Sequence, residues 1–226
     1  MKKTIFIIIL LTLSAFISIK AEQPEKKDYN FLIFGVPQYI ISNGLRIDFD
    51  IHIKNTPRWL ILSPYYYFDR SSVDLLNLGG SDDYYDPYSY DQMLGVGLGI
   101  AQKIFLSKEP VSKGYYLYYG ATYKYFDIDG NNYTWVEYTG EDGLPYQNMQ
   151  DIEYTMNIHS IGACATLGYQ SQIMPALYLD LFIGFGVKYA FHYSPEHVTV
   201  KYNRGINDFG YIGTHMAGGI RIGFGL

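Results

Sequence analysis

Between Leu45 and Lys54 the chain changes character at every residue. Leu45, Ile47, Phe49, Ile51 and Ile53 are apolar, while Arg46, Asp48, Asp50, His52 and Lys54 are charged or titratable. A period of two is the mark of an extended strand, whose successive side chains point to opposite faces. It predicts a strand with one charged face and one apolar face.

The same alternation recurs along the chain. Leu94, Val96, Leu98, Ile100, Ile104 and Leu106 are interleaved with Gly95, Gly97, Gly99, Ala101 and Lys103. Tyr115 to Phe126 sets Tyr115, Leu117, Tyr119, Ala121, Tyr123 and Tyr125 against Gly120, Thr122 and Lys124. Ile161 to Gln170, Leu179 to Phe191 and Ile212 to Leu226 repeat the pattern, with Asp180, Lys188, His215 and Arg221 on the glycine-bearing face. Two further strands are read over Phe31 to Ile41, which contains Gly35 and Pro37, and Trp59 to Phe68, which contains Pro64. Proline is awkward inside a ladder. Both are kept because single-chain bacterial membrane barrels use an even number of strands, and together they make eight.

The facing of these strands follows from energy. Lys or Arg on the lipid side near a bilayer midplane costs ~2–4 kcal/mol. Arg46, Lys103, Lys124, Lys188 and Arg221 all fall on the glycine-rich or polar face, so that face is expected to point into a barrel and the apolar face outward. A soluble sandwich or lipocalin would invert this, and alternation by itself does not say which side is wet. Connection lengths favour the membrane version. Asn55–Pro57, Ser107–Lys113 and Ser171–Pro175 are short, whereas Asp69–Asp91, Asp129–Met156 and Ser194–Phe209 are long. Short turns on one side and long loops on the other are the habit of outer-membrane barrels. Ser42-Asn43-Gly44 reads as a tight Asn-Gly hairpin turn.

The first residues point to export. Lys2 and Lys3 precede an apolar run from Ile5 to Ile19 interrupted by Thr12, Ser14 and Ser18, and Ala21 offers a small residue for cleavage. This is the layout of a secretory signal peptide, and the run falls short of the ~20 apolar residues of a spanning helix. The expected organisation is a signal peptide over 1–21, a periplasmic tail over 22–29 and a β-barrel over 30–226. With a single cysteine, Cys164, neither an intramolecular disulfide nor a cysteine-built metal centre is available. A net charge of −5 with scattered Lys and Arg argues against a nucleic-acid partner. The 25 tyrosines and 23 glycines suit a membrane barrel, where aromatics girdle the interfaces.

On this pattern the chain resembles small outer-membrane barrels of the OmpA transmembrane-domain and OmpX type. It also resembles single-domain porin-like barrels of Bacteroidota, through the strand opening Asn43 to Asp48. The resemblance covers residues 30–226 and is one of architecture rather than motif. It implies an all-β fold, an eight-stranded antiparallel transmembrane β-barrel in an up-and-down meander. The implied partners are outer-membrane lipids, lipopolysaccharide and the barrel-assembly machinery. Ile220, Ile222 and Phe224 fit the terminal strand which that machinery reads, although the last residue is Leu226 rather than Phe.

Candidate chemistry divides between lumen and loops. Arg46, Asp48, Asp50, His52, Lys103, Lys124, Asp180, Lys188, His215 and Arg221 form a mixed-sign lumen set, read as an ion-paired plug or as a narrow gated path. Tyr84, Tyr85, Tyr88, Trp135 and Tyr138 lie in the long connections, where they either pack the loops on one another or form a surface for an extracellular ligand or protein. His192-Tyr193-Ser194 resembles the His-x-Ser pair of outer-membrane lipid A 3-O-deacylases, in which the His activates the Ser. Asn203-Arg204-Gly205-Ile206-Asn207 echoes the stretch downstream of that pair in the same family. The match departs at Pro195, where the family favours Asn, and no Glu stands near Ile206. Asp127-Ile128-Asp129-Gly130-Asn131 brushes a calcium loop but lacks Gly at the sixth position and Glu at the twelfth. No catalytic residue, metal site or cofactor is assigned. The expectation is a non-enzymatic outer-membrane barrel with a structural or surface-binding role carried by its long extracellular loops, with a lipid-modifying enzyme using His192 and Ser194 and a narrow conduit as alternatives.

If the first segment is a cleaved leader, the exported chain should begin near Glu22, read by intact mass. An exported chain that retains Met1 would contradict this.

Overall fold

In the computed structural model the described residues are 29–70, 90–107, 112–194, 202–203 and 208–226. The segment read as a signal peptide lies outside them. The chain is an all-β antiparallel sheet: β1 (Phe31–Gly35), β2 (Gly44–His52), β3 (Arg58–Arg70), β4 (Gln92–Phe105), β5 (Gly114–Thr139), β6 (Pro145–Gln172), β7 (Leu177–Tyr193) and β8 (Gly213–Gly225). Each strand pairs with its neighbours in sequence, and β8 returns to pair with β1, so the hydrogen bonds ring through eight strands. The closing seam is short, running from Leu32 opposite Gly225 to Gly35 opposite Ile222.

Ring closure divides every strand into an inner and an outer residue set. In β4 the outward Leu94, Val96, Leu98 and Ile100 are exposed, while the inward Met93, Gly95, Gly99, Ala101 and Lys103 are buried. Within the ring the packed side chains form two layers. One, toward the short turns, contains Leu32, Phe34, Trp59, Ile61, Phe105, Tyr116 and Tyr178. The other, toward the long connections, contains Tyr65, Tyr67, Met93, Phe126, Ile128, Met156 and Ile158.

Three sequence expectations are corrected. The first strand does not run from Phe31 to Ile41: it stops at Gly35, and Pro37–Ser42 is a 3-10 helix. Proline cannot donate to a ladder, and its fixed φ suits the first helical position. Nor is Ser42-Asn43-Gly44 a two-residue hairpin turn. Asn43 alone is left-handed (φ 49°), whereas an Asn-Gly turn of the I′ type requires both central residues to be so. The helix instead folds inward. The Tyr39 ring packs 5.6 Å from that of Tyr65, and Gln38 lies so close to Gly219 that a Cβ there would collide with its amide.

The third correction concerns Asp129–Met156, expected as a long loop. β5 and β6 continue as a paired ribbon from Gly130 opposite Tyr154 to Thr139 opposite Pro145. A tight turn closes it, with Gly143 at φ 76° donating from its N–H to the Gly140 carbonyl at 2.9 Å. Asp142 accepts the Leu144 N–H at 3.1 Å and the Tyr146 hydroxyl at 2.5 Å, and the hydroxyl bond holds its carboxyl below the ordinary range. Alternation fails as a signal here because both faces of the ribbon are exposed around Trp135 and Met149.

Pro64 does occupy a strand, at a local cost in pairing. The β2–β3 ladder keeps one register from Gly44–Tyr67 to His52–Trp59 but skips Ile47 and Asp48, opposite Pro64 and Ser63. The β4 side is intact there, with Pro64 opposite Leu98.

Gly184 faces the backbone of β6 so closely that a Cβ would stand 2.1 Å from the Ala165 carbonyl oxygen. Gly184→Val should therefore lower the urea midpoint of unfolding markedly, whereas Gly143→Asn, in open space at a left-handed turn, should leave it near native. Equal midpoints for the two variants would contradict this reading.

Candidate functional site

Six charged side chains and two neutral partners meet inside the ring. Arg46, Asp48 and Asp50 come from β2, Lys103 from β4, Tyr116 from β5, Gln170 from β6, Asp180 from β7 and Arg221 from β8. All eight are buried. Their convergence follows from the period of two, since Arg46, Asp48 and Asp50 share one face of β2, and Asp180 stands directly opposite Arg221.

The contacts form one network. Arg46 grips Asp48 in a fork, Nε to Oδ1 at 2.7 Å and Nη2 to Oδ2 at 2.9 Å. Arg221 donates through Nη1 to Asp48 at 3.0 Å and Asp50 at 3.4 Å, and through Nη2 to Asp180. Lys103 donates to Asp50, to Gln170 Oε1 at 2.7 Å and to Asp180 at 3.4 Å. The Tyr116 hydroxyl donates to Asp180 Oδ1 at 2.5 Å, and the Gln170 amide to the Ser112 carbonyl at 2.7 Å. The Arg221 guanidinium also lies 4.8 Å from the centre of the Phe34 ring, a cation–π distance.

Three cations face three carboxylates, so the cluster is neutral as a unit. Burying an ion is costly unless it is paired and its remaining donors and acceptors are satisfied. Fork geometry on Asp48 and shared donation to Asp180 meet most of that need here, leaving the Arg221 Nε without a hydrogen-bond partner among the described residues. The arrangement has no nucleophile aligned with a base. Its chemical capacity is to hold charge at a fixed place and to fill the cross-section between β2 and β8.

Other residues singled out from the sequence fall elsewhere. His52 is not in the network: it sits half-buried at the short-turn end, bonded to Asn30 Oδ1 at 3.0 Å and the Thr56 carbonyl at 2.8 Å, with Trp59 beside it. Lys124, Lys188 and His215 face inward but lie above the cluster, around a cavity. Trp135 and Tyr138 are exposed, on the ribbon rather than a loop; Tyr138 stacks on Tyr146 at 5.8 Å. Tyr84, Tyr85 and Tyr88 lie outside the described residues. His192 is half-buried on the inward parity of β7, Ser194 is exposed just past its end, and Arg204 to Asn207 lie outside the described residues. Asp129 and Asn131 bond within the ribbon and its surroundings, to Thr155 and Asp91. Among the described residues no group of three or more His, Cys, Asp or Glu is placed to hold a metal ion. Tyr116 and Gln170 are the functional partners that sequence reasoning passed over, although both share the inward parity of Lys124 and Thr166 on their own strands.

No protein-family model matches this chain, and neither does any curated protein.

Removing one member of a buried ion cluster leaves its partners uncompensated, a loss of about 3–5 kcal/mol. Arg221→Met should therefore lower the unfolding midpoint substantially. Adding Asp180→Asn, which removes one of the stranded carboxylates, should recover part of it. A double variant less stable than Arg221→Met would contradict a charge-balanced cluster.

Proposed function

We propose that this chain crosses a bacterial outer membrane as an eight-stranded β-barrel and acts without covalent chemistry, offering the β5–β6 ribbon and neighbouring long connections to a binding partner. The observation that carries the proposal is the outer face of the ring. Leu98, Ile100, Leu167, Ile183, Phe185 and Met216 are each more than half exposed, while Arg46, Lys103, Lys124, Asp180, Lys188 and Arg221 are turned inward. A water-soluble chain seldom exposes so continuous an apolar surface. A bilayer reverses the preference, favouring apolar side chains outside.

The dimensions agree. From Leu181 to Tyr193, at ~3.3 Å per residue and a tilt of ~40°, the outer face of β7 would stand roughly 30 Å tall, close to the ~25 Å apolar band of such barrels. Exposed tyrosines stand toward both rims. Tyr115 and Tyr169 pack at 4.9 Å near the short turns, and Tyr189 and Tyr193 lie toward the other end. Rings at these heights suit headgroup girdles. Closure also removes unpaired edges, which hydrocarbon does not tolerate. Lipids and lipopolysaccharide are then the lateral partners, and the assembly machinery the inserting one.

The ribbon supports the binding role. Trp135, Tyr138, Tyr146 and Met149 are exposed on a two-stranded extension beyond the last β4–β5 pair, Gln92 opposite Asp129. Rigid amphipathic rings on a preorganised ribbon lose little entropy on binding. The buried ion cluster counts against an open conduit, and the inward parity of His192 counts against a lipid-cutting enzyme.

Leu98→Arg separates the membrane reading from a soluble one. In water an arginine at this exposed site is nearly neutral; on a lipid face it costs ~2–4 kcal/mol. The variant is expected to lose carbonate-resistant outer-membrane recovery. Native-like soluble behaviour with normal stability would overturn the proposal.

A further inference from the structure

Above the ion cluster, on the side of the 3-10 helix, the ring encloses a cavity of about 350 Å³. Glycines on the surrounding strands keep it open. A Cβ at Gly97 would meet Lys124 Cγ at 2.9 Å, one at Gly162 would meet Thr122 Oγ1 at 2.8 Å, and one at Gly186 would meet the His215 ring at 2.5 Å. Each would crowd an inward-facing polar side chain.

The charges around this cavity do not cancel as those below it do. Arg46 and Arg221 form part of its floor but are matched by Asp48, Asp50 and Asp180. Lys124 and Lys188 line the wall. Lys124 Nζ donates to the Tyr67 hydroxyl at 2.6 Å and lies 4.6 Å from the Tyr65 ring centre. Lys188 Nζ lies 6.0 Å from the Tyr211 ring centre. Among the described residues neither ammonium has a carboxylate within 4.0 Å. Asp208 supplies the only carboxylate that the described residues bring to the lining and acts on Lys188 at longer range. Among the described residues, two ammoniums against one carboxylate leave a positive excess in a confined space.

Strand register brings the two lysines to opposite sides of one point. Gly162 of β6 pairs with Thr122 of β5 and Lys188 of β7, and Lys124 pairs with Ser160 two residues along. Their strands stand about 10 Å apart across β6, a span that two inward-reaching lysines can bracket. Gln38, Thr122 and Ser160 add polar groups to the same wall, and Tyr39 and Phe209 add aromatic surface.

We propose that this cavity binds a small oxyanion, a carboxylate or a phosphate, between the Lys124 and Lys188 ammoniums. Charge-assisted hydrogen bonds to both would supply the missing negative charge. The aromatic wall leaves room for an apolar body attached to the anionic group. The inference rests on interior geometry and holds whether the outer face meets lipid or water.

The test is calorimetric titration of the full chain in detergent micelles with inorganic phosphate and, separately, with benzoate. Saturable binding of at least one is expected, weakened at least about tenfold in Lys188→Met. Lys188→Arg should retain it, and Lys54→Met, on an exposed turn, should bind as the native chain does. The urea midpoint of each variant identifies any that has failed to fold. If Lys188→Met is such a variant, Lys124→Met takes its place, with the same loss expected. The proposal is overturned if the native chain binds neither anion saturably, or if a folded lysine-to-methionine variant in the cavity binds as well as native. Equal weakening in Lys54→Met would also overturn it, since binding would then be non-specific.

Discussion

Side chains packed into the short-turn half of a closed ring of eight strands are cut off from water, so a charge buried there must be cancelled by its neighbours. That constraint organises the structure. Asp48 and Asp50 enter from β2, Asp180 from β7, and each is met by Arg221 together with Arg46 or Lys103. A guanidinium can serve several carboxylates at once because its donors fan out in one plane. Arg221 uses this to tie the first full-length strand, β2, to the last two. The short β1–β8 seam therefore does not carry closure by itself. The same cluster packs the interior on the short-turn side and leaves the space above it to the lysines.

Glycine placement is the complement of this charge placement. Some long inward side chains lie over a glycine of the neighbouring strand, where a Cβ would collide with them, as for Tyr116 against Gly168 and Phe34 against Gly223. Gly219 does the same for Gln38, which lets the 3-10 helix fold into the ring. Outward positions carry the opposite composition, large and apolar, so each strand is specified twice, once for each face. The ribbon of β5 and β6 beyond the ring follows neither rule and is held by backbone pairing and its turn.

Much of this was legible in the sequence, because alternation reports a residue's face directly. It located all eight strands and grouped Arg46, Asp48, Asp50, Lys103, Asp180 and Arg221 on one side. It failed where the two faces have the same environment. Asn131 to Gln147 reads as loop because both faces are exposed from Trp135 on, although the backbone is paired up to Thr139 opposite Pro145 and only the turn between them is not. It failed again at Pro37, where one residue without a donor ended a strand whose apolar pattern continued. Parity also cannot give depth along the axis. His52 and Lys103 share a charged face in the sequence, yet one sits at the rim and the other in the cluster. The same blindness merged Lys124 and Lys188 with a network they stand above.

What the outer face touches decides most of the protein's behaviour. Spin labels at Leu98→Cys and Phe185→Cys, in a Cys164→Ser background, can be reconstituted in phosphatidylcholine vesicles and their collisions with oxygen and with a water-soluble nickel chelate compared. Lipid-facing strands predict high oxygen and low nickel accessibility at both sites. High nickel accessibility in folded protein at both would mean that this face meets water, and would contradict a membrane-spanning ring.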